Sequence, residues 1–144
     1  MKKKIKVFVS GCYDILHAGH VQFFKDAKAL GDHLTVCFAS DEVLKFYKRR
    51  DSSLPEDNKT ILIGAIRYVD NVVKSSDNTL IFDFVGHIKT IRPDILAVTE
   101  DDKHKEEKKK FCDERGIKFV VLPKRNLVTQ VSTTKIIEKI KDGK

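Results

Sequence analysis

Apolar residues gather in five short segments of the chain, each rich in β-branched or aromatic side chains. This pattern is typical of buried β-strands. The predicted strands are residues 5–10, 34–39, 69–73, 95–98 and 117–122. Because these segments are apolar on both faces and helical patterns separate them, they favour a parallel sheet that is covered on both sides.

The segments between the strands carry apolar residues at helical spacing. The clearest sets are Val21/Phe24/Ala27/Leu30, Ile61/Ala65/Ile66, Leu80/Phe84/Ile88 and Val131/Ile136/Ile140. Gly31, Pro93 and Gly116 stand where helices are expected to end and strands to begin. The sequence therefore predicts a three-layer α/β domain with a five-stranded parallel sheet.

Two polar segments interrupt this alternation. Residues 45–58 (KFYKRRDSSLPEDN) combine basic and polar side chains with a proline, which predicts a basic helix end that runs into a mobile loop. Residues 99–110 (TEDDKHKEEKKK) are almost wholly charged, and we interpret them as a solvated loop and helix face.

Composition narrows the class of protein. The 144 residues, 41% of them hydrophobic, suit one domain spanning residues 1–144 around a single core. A net charge of +7 suggests a polyanionic partner, which could be a nucleic acid, a membrane surface or a phosphorylated small molecule. Three widely spaced cysteines argue against a disulfide framework and a zinc ribbon, and favour a reducing compartment. Since no apolar run suits a signal peptide or a transmembrane helix, we expect a cytoplasmic protein with no membrane partner.

The most informative chemistry follows the first predicted strand, at the edge of a parallel sheet where ligands bind. Residues 11–20 (GCYDILHAGH) place two imidazoles around Gly19, at the start of a predicted helix. Free amide groups at a helix start attract anions, and His17 and His20 can face the same phosphate. Two alternatives stay open: a histidine that only caps the helix, and a metal site completed by Asp14.

This segment resembles the G-x-[FY]-D-x-x-H-x-G-H signature of the cytidylyltransferase-like nucleotidyltransferase superfamily. Further similarities follow in the family order at residues 27–32, 40–41, 66–70 and 132–136. The chain is similar to heptose 1-phosphate adenylyltransferases, to glycerol-3-phosphate cytidylyltransferases and to archaeal FAD synthetases. The resemblance implies a Rossmann-like fold and transfer of a nucleotide from a nucleoside triphosphate to a phosphorylated small molecule, with release of pyrophosphate.

The resemblance also implies site residues. The catalytic set is His17 and His20, as donors to the triphosphate, and Lys48, which belongs to a basic run whose alternative interpretation is a solvated face. The nucleotide-binding set is Gly11, Cys12, Tyr13, Asp14, Gly19, Arg125, Ser132, Thr133 and Thr134. The substrate-binding set is Lys59, Arg67 and Asp101. Mg²⁺ is expected to arrive with the nucleotide, with no metal site formed by the protein itself.

Three departures from the family pattern affect these expectations. An insertion precedes Ser132, where relatives carry an arginine, and Arg125 is the expected substitute. Lys59 stands where relatives carry an arginine, which keeps the charge but loses the bidentate geometry. Residues 99–102 lack a glycine that relatives carry near Asp101, which leaves the identity of the acceptor open.

The resemblance thus favours an enzyme that joins the AMP of ATP to a sugar phosphate such as heptose 1-phosphate, in central or envelope sugar-phosphate metabolism such as lipopolysaccharide biosynthesis. The alternatives are a glycerol-3-phosphate cytidylyltransferase, an FAD synthetase-like adenylyltransferase, and a nucleotide-binding regulator without turnover. A nucleic-acid partner is not expected, because basic stretches interleaved with aromatic residues are missing. A homodimer is expected from the resemblance and from the apolar side chains Phe23, Phe24 and Tyr68.

Overall fold

A computed structural model describes residues 3–49, 51–75, 82–124 and 131–143. The strands are β1 (Lys6–Gly11), β2 (His33–Ala39), β3 (Asn71–Ser75), β4 (Ile95–Thr99) and β5 (Lys118–Leu122). The helices are α1 (Ala18–Lys28), α2 (Asp41–Lys48), α3 (Glu56–Gly64), α4 (Val85–Ile91), α5 (Lys105–Asp113) and α6 (Thr133–Lys141).

The five strands form one parallel sheet in the order β3-β2-β1-β4-β5. Alternate residues of a strand face opposite sides, so Val7 and Val9 enter one core cluster while Phe8 enters the other. Phe24 of α1 packs in the first cluster, and Phe111 of α5 packs in the second. The predicted three-layer α/β fold is therefore confirmed, and the order in which the strands are added to the sheet reverses between β1 and β4.

The third strand begins later than the sequence predicts, at Asn71 instead of Val69. Val69 still belongs to the turn after α3, because its amide donates to the Ile66 carbonyl at 3.0 Å. Asp70 then bridges to Leu34: its amide donates to the Leu34 carbonyl, and its carboxylate accepts the Leu34 amide at 2.8 Å. These long-range contacts, rather than local propensity, fix where strand pairing starts.

Of the two polar segments, residues 45–58 are more helical than the sequence suggests. Residues 45–58 contain the end of α2, which Arg49 terminates in a left-handed conformation, and the beginning of α3. Residues 99–110 form a loop and then the first part of α5, as predicted. In the predicted helical set Leu80/Phe84/Ile88, Phe84 directly precedes α4 and Ile88 lies within it. Leu80 lies outside the described residues. None of the helices in the described ranges is long and apolar enough to cross a membrane.

Gly31 offers a test of the packing between α1 and β1. A Cβ atom at this position would lie 2.7 Å from the Ile5 carbonyl oxygen and 2.9 Å from the Val7 side chain. Because backbone cannot move aside cheaply, Gly31→Ala should lower the free energy of unfolding by about 1–3 kcal/mol. Gly86→Ala is the matched control, since open space surrounds Gly86 on α4, and a gain of up to about 1 kcal/mol is expected. Equal urea denaturation midpoints for the two variants would contradict this account.

Candidate active site at the carboxyl ends of the strands

A cleft of about 430 Å³ opens at the carboxyl ends of β1 and β4. The loop after β1, the first turns of α1 and α6, the end of α2 and the loops after β4 and β5 surround it. Most of the predicted site residues line this cleft: Gly11, Cys12, Tyr13, Asp14, His17, Gly19, His20, Lys48, Asp101, Ser132, Thr133 and Thr134. Segments that are far apart in sequence therefore converge on one site.

His17 and His20 form a reciprocal cap at the start of α1. The Gly19 amide donates to Nδ1 of His17 at 3.2 Å, and the His17 amide donates to Nδ1 of His20 at 3.3 Å. The two rings stack with their centroids 3.9 Å apart. In the neutral tautomer that these bonds assign, the proton lies on Nε2 of each ring, which leaves Nε2–H as a donor to a ligand. Capping and ligand binding are thus compatible roles for the same residues.

Both imidazoles are held in the neutral form. Burial, and then the charges of His17 and Lys124, lower the pKa of His20 to about 4. Burial and the Lys124 ammonium also lower the pKa of His17. At neutral pH the pair therefore offers hydrogen-bond donors rather than positive charge.

Gly11 and Gly19 of the motif leave the space that the neighbouring side-chain rings occupy. A Cβ atom at Gly19 would lie 3.0 Å from the His17 ring, and one at Gly11 would lie 2.7 Å from the Tyr13 ring. Tyr13 is buried in a left-handed conformation, with its ring edge-on to His20 at a centroid distance of 5.2 Å. Burial raises the pKa of the Tyr13 hydroxyl. The Tyr13 ring therefore packs edge-on against the His20 ring and helps to hold it in place.

Asp14 and Lys59 form a buried ion pair beneath the loop. The carboxylate accepts hydrogen bonds from the Ser52 hydroxyl at 2.8 Å and from the Ser53 amide and hydroxyl at 2.6 and 3.0 Å. Lys59 Nζ lies 3.9 Å from Asp14 Oδ1 and donates to the Cys12 carbonyl at 3.4 Å. Asp14 thus orients the loop.

Lys59 requires a correction. Its side chain is completely buried and does not line the cleft, so the expectation that it contacts the acceptor phosphate does not hold in this structure. Burial lowers the pKa of Lys59, and the charge of Asp14 opposes that shift. The lysine acts on the site through the loop above it.

Arg67 requires a second correction. It lies between α3 and β3, at the amino end of the sheet, with its guanidinium 5.6 Å from the Tyr68 ring centroid. Since the cleft is at the carboxyl end, Arg67 of this chain is on the wrong edge to contact a substrate there. Arg125 lies outside the described residues.

Lys124 is a cleft residue that the sequence did not identify as part of the site. Its ammonium pairs with Asp101 at 2.7 Å, lowers the Asp101 pKa and adds positive charge beside both histidines. The available signal was its position directly after Pro123, just beyond β5 and therefore at the carboxyl edge of the sheet.

The start of α6 forms another wall of the cleft. The Ser132 hydroxyl caps the helix by accepting the Lys135 amide at 3.1 Å, and the Thr133 hydroxyl donates to the Ile15 carbonyl at 3.4 Å. The second of these bonds joins α6 to the loop that precedes α1. Two helix starts thus direct free amide groups and partial positive charge toward one cleft, which suits a polyphosphate.

A second cavity, of about 580 Å³, adjoins the first. The two share five lining residues: Ser10, Gly11, Cys12, Lys48 and Asp102. Its other walls combine apolar and aromatic residues with basic residues and one acidic residue: Ala39, Val43, Leu44, Phe82, Asp83, Phe84, Lys103, His104 and Lys108. Sequence reasoning missed this cavity, because its basic side belongs to the segment interpreted as solvated.

The described residues contain no cluster of three or more histidine, cysteine or carboxylate side chains suited to a metal ion. Asp14, the third ligand considered for a metal site, instead directs its carboxylate to Ser52, Ser53 and Lys59.

Comparison with known proteins decides the class. The cytidylyltransferase-like family model matches residues 8–139. The chain belongs to the cytidylyltransferase-like family. It is therefore a nucleotidyltransferase, as the motif predicts.

Several relatives of this cytidylyltransferase-like chain match it over nearly its whole length. FAD synthases of Thermococcus kodakarensis and Pyrococcus horikoshii are each 40% identical to it, over 96% of this chain and 93% of theirs. The bifunctional protein HldE of Campylobacter concisus is 37% identical over 99% of this chain but only 28% of its own length. The crystal structure of a lipopolysaccharide core biosynthesis protein from Thermoplasma volcanium superposes with a TM-score of 0.74 at 27% identity, covering 86% of this chain and all of that one.

The buried ion pair predicts a large, specific loss of stability. Lys59→Met keeps the apolar stem but removes the buried ammonium that pairs with Asp14, so the free energy of unfolding should fall by about 3 kcal/mol. The control is Lys109→Met, whose exposed pair with Asp113 should contribute under about 1 kcal/mol. The double variant Asp14→Asn/Lys59→Met should lose less free energy of unfolding than the two single variants lose in sum. Strict additivity in urea denaturation would contradict the coupling.

The lowered pKa of His20 predicts that the free energy of unfolding depends on pH in a specific window. Its pKa is about 4 in the folded chain against 6.5 ordinarily, so the unfolded chain binds more protons between these values. The free energy of unfolding should therefore fall as the pH drops from 6.5 to 4, and this contribution is fully present above pH 6.5. His20→Asn should flatten the dependence in that window. An unchanged slope in denaturation series at several pH values would show that His20 is not the group responsible.

Proposed function

We propose that the protein is an FMN adenylyltransferase, which joins the AMP of ATP to the phosphate of FMN to give FAD and pyrophosphate. The observation that carries the proposal is the convergence of two neutral imidazole donors, two lysines and the start of α6 on one cleft. The choice of acceptor is supported by relatives named FAD synthase, which match this chain over 93% of their own length.

The reaction is an in-line displacement at the α-phosphorus of ATP. A phosphate oxygen of FMN forms a bond to that phosphorus while the bond to the bridging oxygen of pyrophosphate breaks. No covalent intermediate with the protein is needed, so catalysis consists of positioning and charge stabilisation. Mg²⁺ enters as part of the substrate MgATP.

The chain's own groups have distinct tasks in this scheme. His17 and His20 donate from Nε2 to the non-bridging oxygens of the α-phosphate, where charge develops. The first amides of α6, with Ser132 and Thr133, hold the departing pyrophosphate. Lys48 and Lys124 balance charge on either side of the cleft. Binding of the triphosphate releases Lys124 from Asp101 in this scheme.

The choice of ATP rests on ancestry, because residues that contact phosphates do not recognise a base. Residues 11–21 resemble the adenylyltransferase branch, which is the branch favoured from the sequence. Heptose 1-phosphate, the acceptor favoured from the sequence, is the alternative, and the relatives named bifunctional protein HldE support it. The homodimer, the cytoplasmic location and the absence of a nucleic-acid partner stay predictions.

A matrix of ATP and CTP against FMN, heptose 1-phosphate and glycerol 3-phosphate, with pyrophosphate release as the measurement, tests the proposal. The expected result is fast turnover with ATP and FMN only. His17→Ala and His20→Ala should each lower kcat by about 10²- to 10³-fold, as loss of a donor to developing negative charge does. His33→Ala is the control, because His33 begins β2 at the opposite edge of the sheet and should keep full activity.

Four other results would each change part of the proposal. Turnover with heptose 1-phosphate and not with FMN would overturn the acceptor. Preference for CTP would overturn the base. No pyrophosphate release with any pair would favour the nucleotide-binding regulator instead. Full activity in both cleft-histidine variants would remove the histidines from the mechanism.

A further inference from the structure

We infer that the second cavity binds the isoalloxazine ring of the acceptor, with Lys108 and Asp102 contacting the polar edge of that ring. This inference rests on the proposed function and specifies where its acceptor lies.

The boundary between the two cavities restricts where an acceptor can lie. Its phosphate must approach the α-phosphorus to about 3–3.5 Å, while the first cleft holds the triphosphate at His17 and His20. The second cavity opens to the same point, because Gly11, Cys12 and Lys48 line both. An acceptor seated there would place its phosphate beside the Lys48 ammonium.

The walls of the second cavity suit a flat ring. Val43 and Leu44 of α2 form an apolar side, and both are buried. The rings of Phe82 and Phe84 are stacked at a centroid distance of 5.3 Å and an interplanar angle of 2°. Phe84 is completely buried, whereas Phe82 keeps part of its surface exposed at the cavity. Such walls stabilise a planar heteroaromatic group by stacking and desolvation, whereas sugar hydroxyls would lose water without gaining partners there.

A charged pair lies against this aromatic wall. Lys108 Nζ is 2.7 Å from Asp102 Oδ2, and both side chains are largely buried, at 13% and 16% exposure. The same ammonium lies 6.0 Å from the Phe82 centroid and 5.9 Å from that of Phe84. The pair therefore presents one strong donor and one strong acceptor next to a flat apolar surface.

This combination matches the chemistry of a flavin. One edge of the isoalloxazine ring alternates carbonyl oxygens with an imide N–H, so it accepts from a lysine and donates to a carboxylate. A purely apolar ring would leave the Lys108–Asp102 pair without a ligand partner. A heptose phosphate would leave the exposed apolar surface of Phe82 in contact with water. The cavity thus selects the acceptor by its ring, while the shared boundary receives its phosphate.

Riboflavin is the probe for the ring site, because it carries the isoalloxazine without the phosphate. Its fluorescence anisotropy should report binding to the wild-type protein. Phe82→Ala should weaken that binding at least tenfold, and Lys108→Met should weaken it similarly. Phe46→Ala is the matched control, since Phe46 on α2 is 60% exposed and lines neither cavity, and it should leave the affinity unchanged.

Two further measurements make the test specific. Unchanged affinity for a non-hydrolysable ATP analogue shows that a variant is folded. The same analogue should not displace riboflavin from the wild type, because the two ligands have separate cavities. If each bound molecule of the ATP analogue displaced one riboflavin molecule, the second cavity would be assigned to the adenine and the inference would be overturned.

The outcomes for the inference and for the proposed function are separable. FAD formation by the wild type, with riboflavin affinity unchanged in the Phe82 and Lys108 variants, would overturn the ring site and leave the function intact. No FAD formation, with riboflavin bound in a Phe82-dependent manner, would overturn the function and support the ring site. No FAD formation and no riboflavin binding would overturn both.

Discussion

A buried ion pair between Asp14 and Lys59 fixes the loop on which the chemistry depends. Burial of two charges is costly, and it is tolerated only when the partners and their hydrogen bonds satisfy each other. Here the carboxylate is satisfied by Lys59 of α3 and by Ser52 and Ser53, which follow the helix that carries Lys48. One side chain thus joins the histidine loop to the segment that brings the lysine to the cleft.

This constraint explains why the histidines can be neutral donors. With the loop held from below, His17 and His20 use Nδ1 for capping and stack on each other, which buries them and lowers their pKa. Positive charge comes instead from Lys48 and Lys124, at other parts of the cleft. The site therefore assigns directional hydrogen bonding and positive charge to different residues, although the Lys124 charge also helps to keep both histidines neutral.

Much of this arrangement follows from local sequence. The apolar runs and their helical intervals predict the sheet because they report burial directly, and the histidine motif predicts the cleft because it lies between a strand and a helix. The burial of Lys59 is not evident from the sequence, because its partner Asp14 is far away along the chain. Nor does local propensity reveal the contacts of Asp70 with Leu34 that delay β3. The position of Arg67 is likewise not evident, because its motif gives no indication of the sheet edge at which it lies.

The role of the charge-rich segments is the least evident from the sequence, and specificity is proposed to reside there. Residues 99–110 look solvated because Lys and Glu usually are, yet the fold turns Lys108 inward against Phe82 and pairs it with Asp102. A lysine that is desolvated beside aromatic rings and a carboxylate is a stronger recognition group than one on an open face. In the proposed scheme the phosphate chemistry therefore lies in the short histidine motif, whereas the choice of acceptor lies in a few residues of the polar loop, apart from the buried pair under the histidines.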